Sequence, residues 1–272
     1  MRPKNMLEKS RPRRAVKLGF VDLKSKGHDR PQPNIDYDII SAGSSVLDAL
    51  PYPKSARQML DIDVYALYGG DLPEGLFGGR NEGLLKIQAH TADPQNIAGQ
   101  EAVASFVREF DVKDDQYAPG FLFSGVFRRI LIEGSANIGI DLYEMDSDAS
   151  EYYGRFKSVV DKVPEIKSID VLKGIPYLSL ATNLAEAVID VFGKNPDDHI
   201  WGELPLLEIK PLIGGAFLRD GIYIIIEAER DRKAMKFEEL KYRNNSLVGT
   251  TGVKLGAHLV FGLRLREYSG RA

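Results

Sequence analysis

Apolar and polar residues alternate with a period of two along much of the chain, which is the pattern of β-strands that bury one face. The clearest example is 62–68, where Ile62, Val64 and Tyr68 alternate with more polar neighbours. Alternation, or a short apolar run bounded by Gly or Pro, predicts further strands at 15–23, 84–91, 102–110, 121–133, 138–145, 154–163, 204–209, 221–228 and 253–265. The chain is therefore predicted to be mainly β.

One segment follows helical spacing instead. Between 180 and 193, apolar residues recur every three or four positions, Asn183 is a suitable N-cap, and Gly193 ends the pattern. Shorter helices or loops are expected at 36–50 and 234–242. Many short strands with few helices favour an antiparallel β-sandwich with an inserted helix and short flanking helices over an alternating βαβ fold.

The charge distribution divides the chain into an arm and a body. Residues 1–30 contain ten Lys or Arg and three acids, a net charge of +7, whereas the whole chain carries −3. We expect residues 1–34 to form a basic, partly disordered arm that contributes one strand. Residues 35–272 then form a single β-sandwich domain with a helical insertion near 180–193 and a C-terminal strand extension.

The cations of the arm are candidate contacts for an anionic membrane surface or a nucleic acid, since phosphate groups attract clustered Lys and Arg. They are Arg2, Lys4, Lys9, Arg11, Arg13 and Arg14. The alternative is a solubilising terminus with no partner.

Two segments carry a resemblance to a known family. Residues 62–88 combine a strand, Asp71-Leu72-Pro73, a glycine-bearing loop and the triplet Leu85-Lys86-Ile87. Residues 138–156 combine a strand, an acidic loop and Gly154. Together with two later strands, they resemble the C-two domain, the calcium- and phospholipid-binding β-sandwich, over residues 60–230. The resemblance implies that Glu144, Asp146 and Asp148 are loop carboxylates that face a metal, and that Leu76 and Phe77 lie at the tip of a ligand- or membrane-contacting loop.

The first loop departs from that family. Where the family supplies two aspartates, this chain has Glu74 or Gly75 and then Asn81 or Glu82. Calcium needs six to eight oxygen ligands, several of them carboxylates. We therefore expect no cofactor and calcium-independent binding, with a calcium site at the acidic loop as the alternative.

No residue pattern of a known catalytic type is present. The chain has no cysteine, which excludes thiol chemistry and is typical of a cytoplasmic protein. Asp61, Asp63, Glu144 and Asp146 are predicted to lie at strand ends, where paired carboxylates serve either acid–base chemistry or a charged sheet edge. Trp201, the only tryptophan, is expected in the core with its indole N–H hydrogen-bonded.

These observations give one leading function and two alternatives. The leading hypothesis is a non-catalytic C-two-like interaction module that binds a partner protein or an anionic membrane. The first alternative is a self-associating assembly protein, such as a capsid or scaffold subunit, whose basic arm contacts nucleic acid. The second is an enzyme that uses the loop carboxylates.

Overall fold

Strands form most of the structure, a computed structural model that describes residues 14–70, 81–91, 102–145, 199–201, 204–212, 214–230, 233–250 and 252–268. Within these ranges the chain is mainly β, as the alternation predicts. The strands are β1 (Val16–Asp22), β2 (Tyr37–Ser41), β3 (Arg57–Tyr68), β4 (Asn81–Thr91), β5 (Ala102–Val112), β6 (Phe123–Glu133), β7 (Ser135–Ala136), β8 (Ile138–Met145), β9 (His199–Trp201), β10 (Leu207–Glu208), β11 (Ala216–Phe217), β12 (Gly221–Glu227), β13 (Glu229–Arg230), β14 (Lys233–Ala234), β15 (Leu240–Arg243), β16 (Ser246–Gly249) and β17 (His258–Glu267).

These strands pair into two main sheets. The larger has eleven strands in the order β11-β10-β7-β6-β3-β17-β12-β1-β2-β15-β16, and the smaller has four in the order β5-β4-β8-β9. Strands β13 and β14 form a separate two-stranded ribbon. Neighbours are antiparallel, as in β3 with β17 and β4 with β8, except for the parallel pair β10 and β11.

One hydrophobic cluster joins the two sheets. It contains Leu60 and Ile62 from β3, Leu85 and Ile87 from β4, and Leu142 from β8, all of them fully buried. Each of these side chains contributes roughly 1.5–3 kcal/mol through removal of its apolar surface from water. The period-two pattern of β3 and β4 is thus explained by burial against this shared core.

A second cluster covers the opposite face of the eleven-stranded sheet. Ile224, Tyr242 and Val260 belong to it, whereas Tyr223 and Ile225 belong to the first cluster. Strand β12 is consequently buried on both faces, which explains why 222–226 reads as a continuous apolar run.

Two predicted helical segments differ in the structure. Residues 36–50 begin with β2, because Tyr37 and Ile39 alternate with Asp38, and only Ser45–Ala49 forms a 3-10 helix. Residues 234–242 contain a single 3-10 turn at Phe237–Glu239 before β15. The predicted strand at 154–163 and the inserted helix at 180–193 lie outside the described residues. In the parts of the chain given above, no helix has the length and apolar character needed to cross a membrane.

Candidate functional site at the loop end

Several connections leave the two sheets at one end, which we call the loop end. Strand β3 ends at Tyr68, and β4 begins at Asn81 after the connection 71–80. Asn81 pairs with Val112, the last residue of β5, and Glu82 pairs with Met145, the last residue of β8. The connections after β3, β5 and β8 therefore start from neighbouring strand ends.

Of the candidate membrane-, ligand- and metal-binding residues named from the sequence, only Arg14 and Glu144 lie within the described ranges. Glu144 lies in β8, where its backbone pairs with Gly83. Leu76 and Phe77, Asp146 and Asp148, and the arm residues Arg2, Lys4, Lys9, Arg11 and Arg13 lie outside the described residues. The described strand ends that border these segments, Tyr68, Asn81 and Met145, lie at the loop end.

Arg14, the last of the candidate cations of the predicted arm, also lies at the loop end. Its Nη1 is 2.8 Å from Oε1 of Glu227, a carboxylate with only 1% of its side chain exposed. Burial raises the pKa of Glu227, and the guanidinium of Arg14 opposes that rise. Arg14 is therefore already engaged within the protein.

A cluster of five polar side chains lies where the end of β3, the start of β17 and the segment after β5 meet. We call it the strand-end cluster, and it consists of Tyr68, Asp115, Tyr117, Arg230 and His258. Tyr68 ends β3 and pairs with His258, which begins β17. Three backbone hydrogen bonds join the end of β3 to the segment after β5: Gly69 N–H to Gln116 O (3.0 Å), Asp115 N–H to Gly70 O (2.7 Å) and Ala118 N–H to Leu67 O (2.8 Å).

His258 lies at the centre of this cluster and is 1% exposed. Its ring stacks on Tyr68 with centroids 4.7 Å apart and an interplanar angle of 19°. Nδ1 is 2.9 Å from the carbonyl oxygen of Gly256, and Nε2 is 3.1 Å from the hydroxyl of Tyr117. Since a carbonyl only accepts, Nδ1 carries the proton, and Nε2 accepts from Tyr117. Burial lowers the pKa of His258 to about 4, so the ring is neutral at pH 7.

The other half of the cluster is ionic. The hydroxyl of Tyr68 donates to Oδ1 of Asp115 at 3.3 Å, and Nη1 of Arg230 is 2.7 Å from the same oxygen. The hydrogen bond from Arg230 holds the pKa of Asp115 below its ordinary value. Burial, with the nearby charge of Asp115, raises the pKa of Tyr68 to about 12. At neutral pH the cluster therefore contains one carboxylate, one guanidinium, two neutral phenols and a neutral imidazole.

This arrangement is suited to holding strand ends together, and it lacks the features of a reaction centre. Its histidine has both ring nitrogens engaged, and neither contacts a carboxylate. Within the described ranges, no group of three or more His, Asp or Glu side chains is arranged to hold a metal ion. Sequence reasoning missed the cluster because Tyr117 and His258 are 141 positions apart, and no local pattern marks either residue.

A groove of about 690 Å³ lies elsewhere on the larger sheet, at the other end of β1. Its walls include the carboxylates of Asp22, Asp38 and Glu238, the ammonium of Lys241 and the ring of Phe237. Lys241 pairs with Asp38. The excess of carboxylates disfavours an anionic ligand, so this groove does not form part of a surface for phosphate-bearing partners.

No family model matches this sequence, and comparisons with curated proteins and with solved structures find no match.

Proposed function

We propose that the protein is a non-catalytic interaction module with a C-two-like antiparallel β-sandwich, and that its loop end binds an anionic membrane surface without calcium. One observation carries the proposal. Arg14 lies at the same end of the two sheets as the strand ends Tyr68, Asn81 and Met145, which border the segments that carry Leu76, Phe77 and the acidic residues in the sequence.

The position of the arm supports this function through charge. Val16 pairs with Glu227, Ile226 pairs with His258, and His258 pairs with Tyr68, so the first described residues adjoin the ends of β12, β17 and β3. Five further cations precede Arg14. Each Lys or Arg near an anionic bilayer contributes about 1 kcal/mol of attraction. Their point of attachment directs that attraction to the loop end.

Apolar residues at the same end support insertion into the interface. Leu122 directly precedes β6, whose first residue pairs with Val64 of β3, and Leu122 is 61% exposed. Leu76 and Phe77 belong to the neighbouring connection. Burying apolar side chains in a bilayer interface yields roughly 25 cal/mol per Å². A basic arm together with apolar loop residues supplies the two signals that stable peripheral binding requires.

The test is co-sedimentation of the full chain with two kinds of vesicle. One contains phosphatidylcholine alone, and the other contains about 30% phosphatidylserine as the anionic lipid. We expect binding only to the anionic vesicles, equal in calcium and in chelator, and weakened when salt is raised. Replacing Arg2, Lys4, Lys9, Arg11 and Arg13 with Gln should weaken binding more than tenfold. Arg14 stays unchanged because it pairs with Glu227.

A second variant separates insertion from charge. Leu76→Asp with Phe77→Asp should reduce binding to anionic vesicles, whereas Leu212→Asp should not. Leu212 is a matched control because it is 85% exposed and lies between β10 and β11, away from the loop end. If anionic vesicles pellet no more protein than neutral ones, membrane binding is wrong. A partner protein is then the remaining ligand of the module.

A further inference from the structure

The hydrogen bonds of His258 fit a neutral ring that is protonated on Nδ1. In that state Nδ1–H donates to Gly256, Nε2 accepts from Tyr117, and the oxygen of Tyr117 accepts the backbone N–H of Leu247 at 2.8 Å. A second proton on Nε2 removes the acceptor that Tyr117 uses. Tyr117 can turn its O–H to the carbonyl of Leu247 at 3.2 Å, but the ring then carries a positive charge.

Among the described residues, no carboxylate forms a hydrogen bond with the ring to balance that charge. The titratable and charged groups around it are Tyr68 on β3, Tyr117 and Asp115 on the segment after β5, Glu227 on β12, Arg230 on β13, and Arg14 before β1. Asp115 is occupied by Arg230 and Tyr68, and Glu227 is occupied by Arg14. Burying an imidazolium without a carboxylate beside it costs free energy, and contact of the ring with water lowers that cost.

The easiest way for water to reach His258 is through Tyr117. The segment 113–118 is mostly exposed, and three backbone hydrogen bonds attach it to the end of β3. β17, by contrast, is paired on both sides over residues 258–263. Release of 113–118 would expose His258 and Tyr68 at the loss of these three backbone hydrogen bonds and of the side-chain contacts of Asp115 and Tyr117.

We propose that His258 is a proton-operated switch of the loop end, in which protonation of the ring detaches residues 113–118 from the end of β3. That the switch regulates binding at the loop end rests on the proposed function. The detachment of residues 113–118 is measured without any membrane.

The direction of the pH effect follows from the two states. The pKa of the closed state is about 4, and an exposed His titrates near 6.5. The open state therefore binds more protons between these values, so opening is favoured as pH falls from about 6.5 towards 4. Linkage with these two values gives a roughly 20-fold increase in the opening equilibrium constant between pH 7 and pH 5.

Hydrogen exchange tests the switch directly. Protection factors, corrected for the intrinsic pH dependence of exchange, are measured for the amides of Gly69, Asp115 and Ala118 at pH 7 and pH 5. We expect them to fall roughly 20-fold, while amides in the doubly buried β12 fall less. His258→Gln, whose neutral amide can both donate to Gly256 and accept from Tyr117, should abolish the difference.

His28→Gln is the matched control. His28 Nδ1 contacts the hydroxyl of Tyr37 at 2.7 Å, away from the loop end, so this variant should keep the wild-type response. Unchanged protection of the wild type at pH 5, or a retained loss in His258→Gln, overturns the switch. Should His258→Gln not fold, an NMR titration of the wild type decides the matter, because a pKa of His258 at or above 6.5 overturns it equally. Vesicle binding at pH 7 tests the proposed function independently of these outcomes.

Discussion

The carboxylate of Asp61 accepts a hydrogen bond of 2.9 Å from the backbone N–H of Arg129. Arg129 has a φ of +56° and lies where the pairing of β3 with β6 is interrupted by a bulge. Asp63 receives the N–H of Gly125, φ +71°, at a second interruption of the same pairing. The two aspartates thus satisfy backbone groups that a regular ladder would have paired.

Removing Asp61 should be strongly destabilising. Its side chain is 1% exposed and also contacts Nη2 of Arg266 at 2.8 Å. Asp61→Ala leaves the Arg129 amide and the guanidinium groups of Arg266 and Arg128 without this acceptor, at a cost of about 3 kcal/mol. Urea denaturation at pH 7 measures the loss. The control is Glu133→Ala, whose exposed pair with Arg57 should contribute less than about 1 kcal/mol. Equal effects of the two substitutions would contradict the bulge-capping role.

These aspartates also show where the sequence was informative and where it was not. Alternation predicted β3 correctly, because Leu60, Ile62 and Val64 are buried on one face. It placed Asp61 and Asp63 at a strand end, and that was wrong, since both lie within a strand between β6 and β17. Bulges in β6 depend on the partner strand, so the sequence of β3 alone does not reveal them.

The pairing of strands that are distant in the sequence could not be predicted from local patterns either. β3 has its neighbours in β6 and β17, and β1 has β12 and β2. Period-two alternation specifies a face and not a partner. The same limitation hid the contact between Tyr117 and His258.

Gly70 should tolerate no side chain. It has a φ of +61°, and a Cβ there would lie 2.3 Å from the backbone nitrogen of Ala257. Gly120, with a φ of +67° and nothing within 4 Å of a Cβ, isolates the conformational cost. We expect Gly120→Ala to lose about 1 kcal/mol and Gly70→Ala to lose at least about 2 kcal/mol more through displacement of backbone. Thermal and urea unfolding measure both losses of stability. A Gly70→Ala loss no larger than that of Gly120→Ala would mean that Gly70 does not pack closely against the backbone at Gly256 and Ala257.

Loss of Arg14 should destabilise the protein in a pH-dependent manner. Arg14→Ala leaves the buried carboxylate of Glu227 without its cation, which costs about 3 kcal/mol at pH 7. Because burial raises the pKa of Glu227, and removal of Arg14 raises it further, the folded variant takes up a proton as the pH falls. The cost should therefore shrink towards pH 4, where neutral Glu227 needs no counterion.

The exposed pair between Lys24 and Asp29 provides the control for this experiment. Lys24→Ala should leave the free energy of unfolding unchanged at both pH values, since solvent screens such a pair. A cost for Arg14→Ala that is the same at pH 7 and pH 4 would indicate that the interaction is packing of the arginine stem and not neutralisation of Glu227.

The stability of the folded protein should depend on the aromatic ring of Trp201 and not on its indole N–H. The side chain is 1% exposed and belongs to the core shared by the two sheets, as the sequence predicted. Its Nε1, however, has no hydrogen-bond acceptor in the described part of the chain. A buried donor without a partner costs about 1–3 kcal/mol. Trp201→Phe removes that donor and keeps an aromatic ring, so its net effect should be within about 1 kcal/mol, whereas Trp201→Ala should lose about 3–5 kcal/mol. Urea unfolding followed by circular dichroism compares the two variants, and a loss above about 3 kcal/mol for Trp201→Phe would show that the indole N–H is satisfied after all.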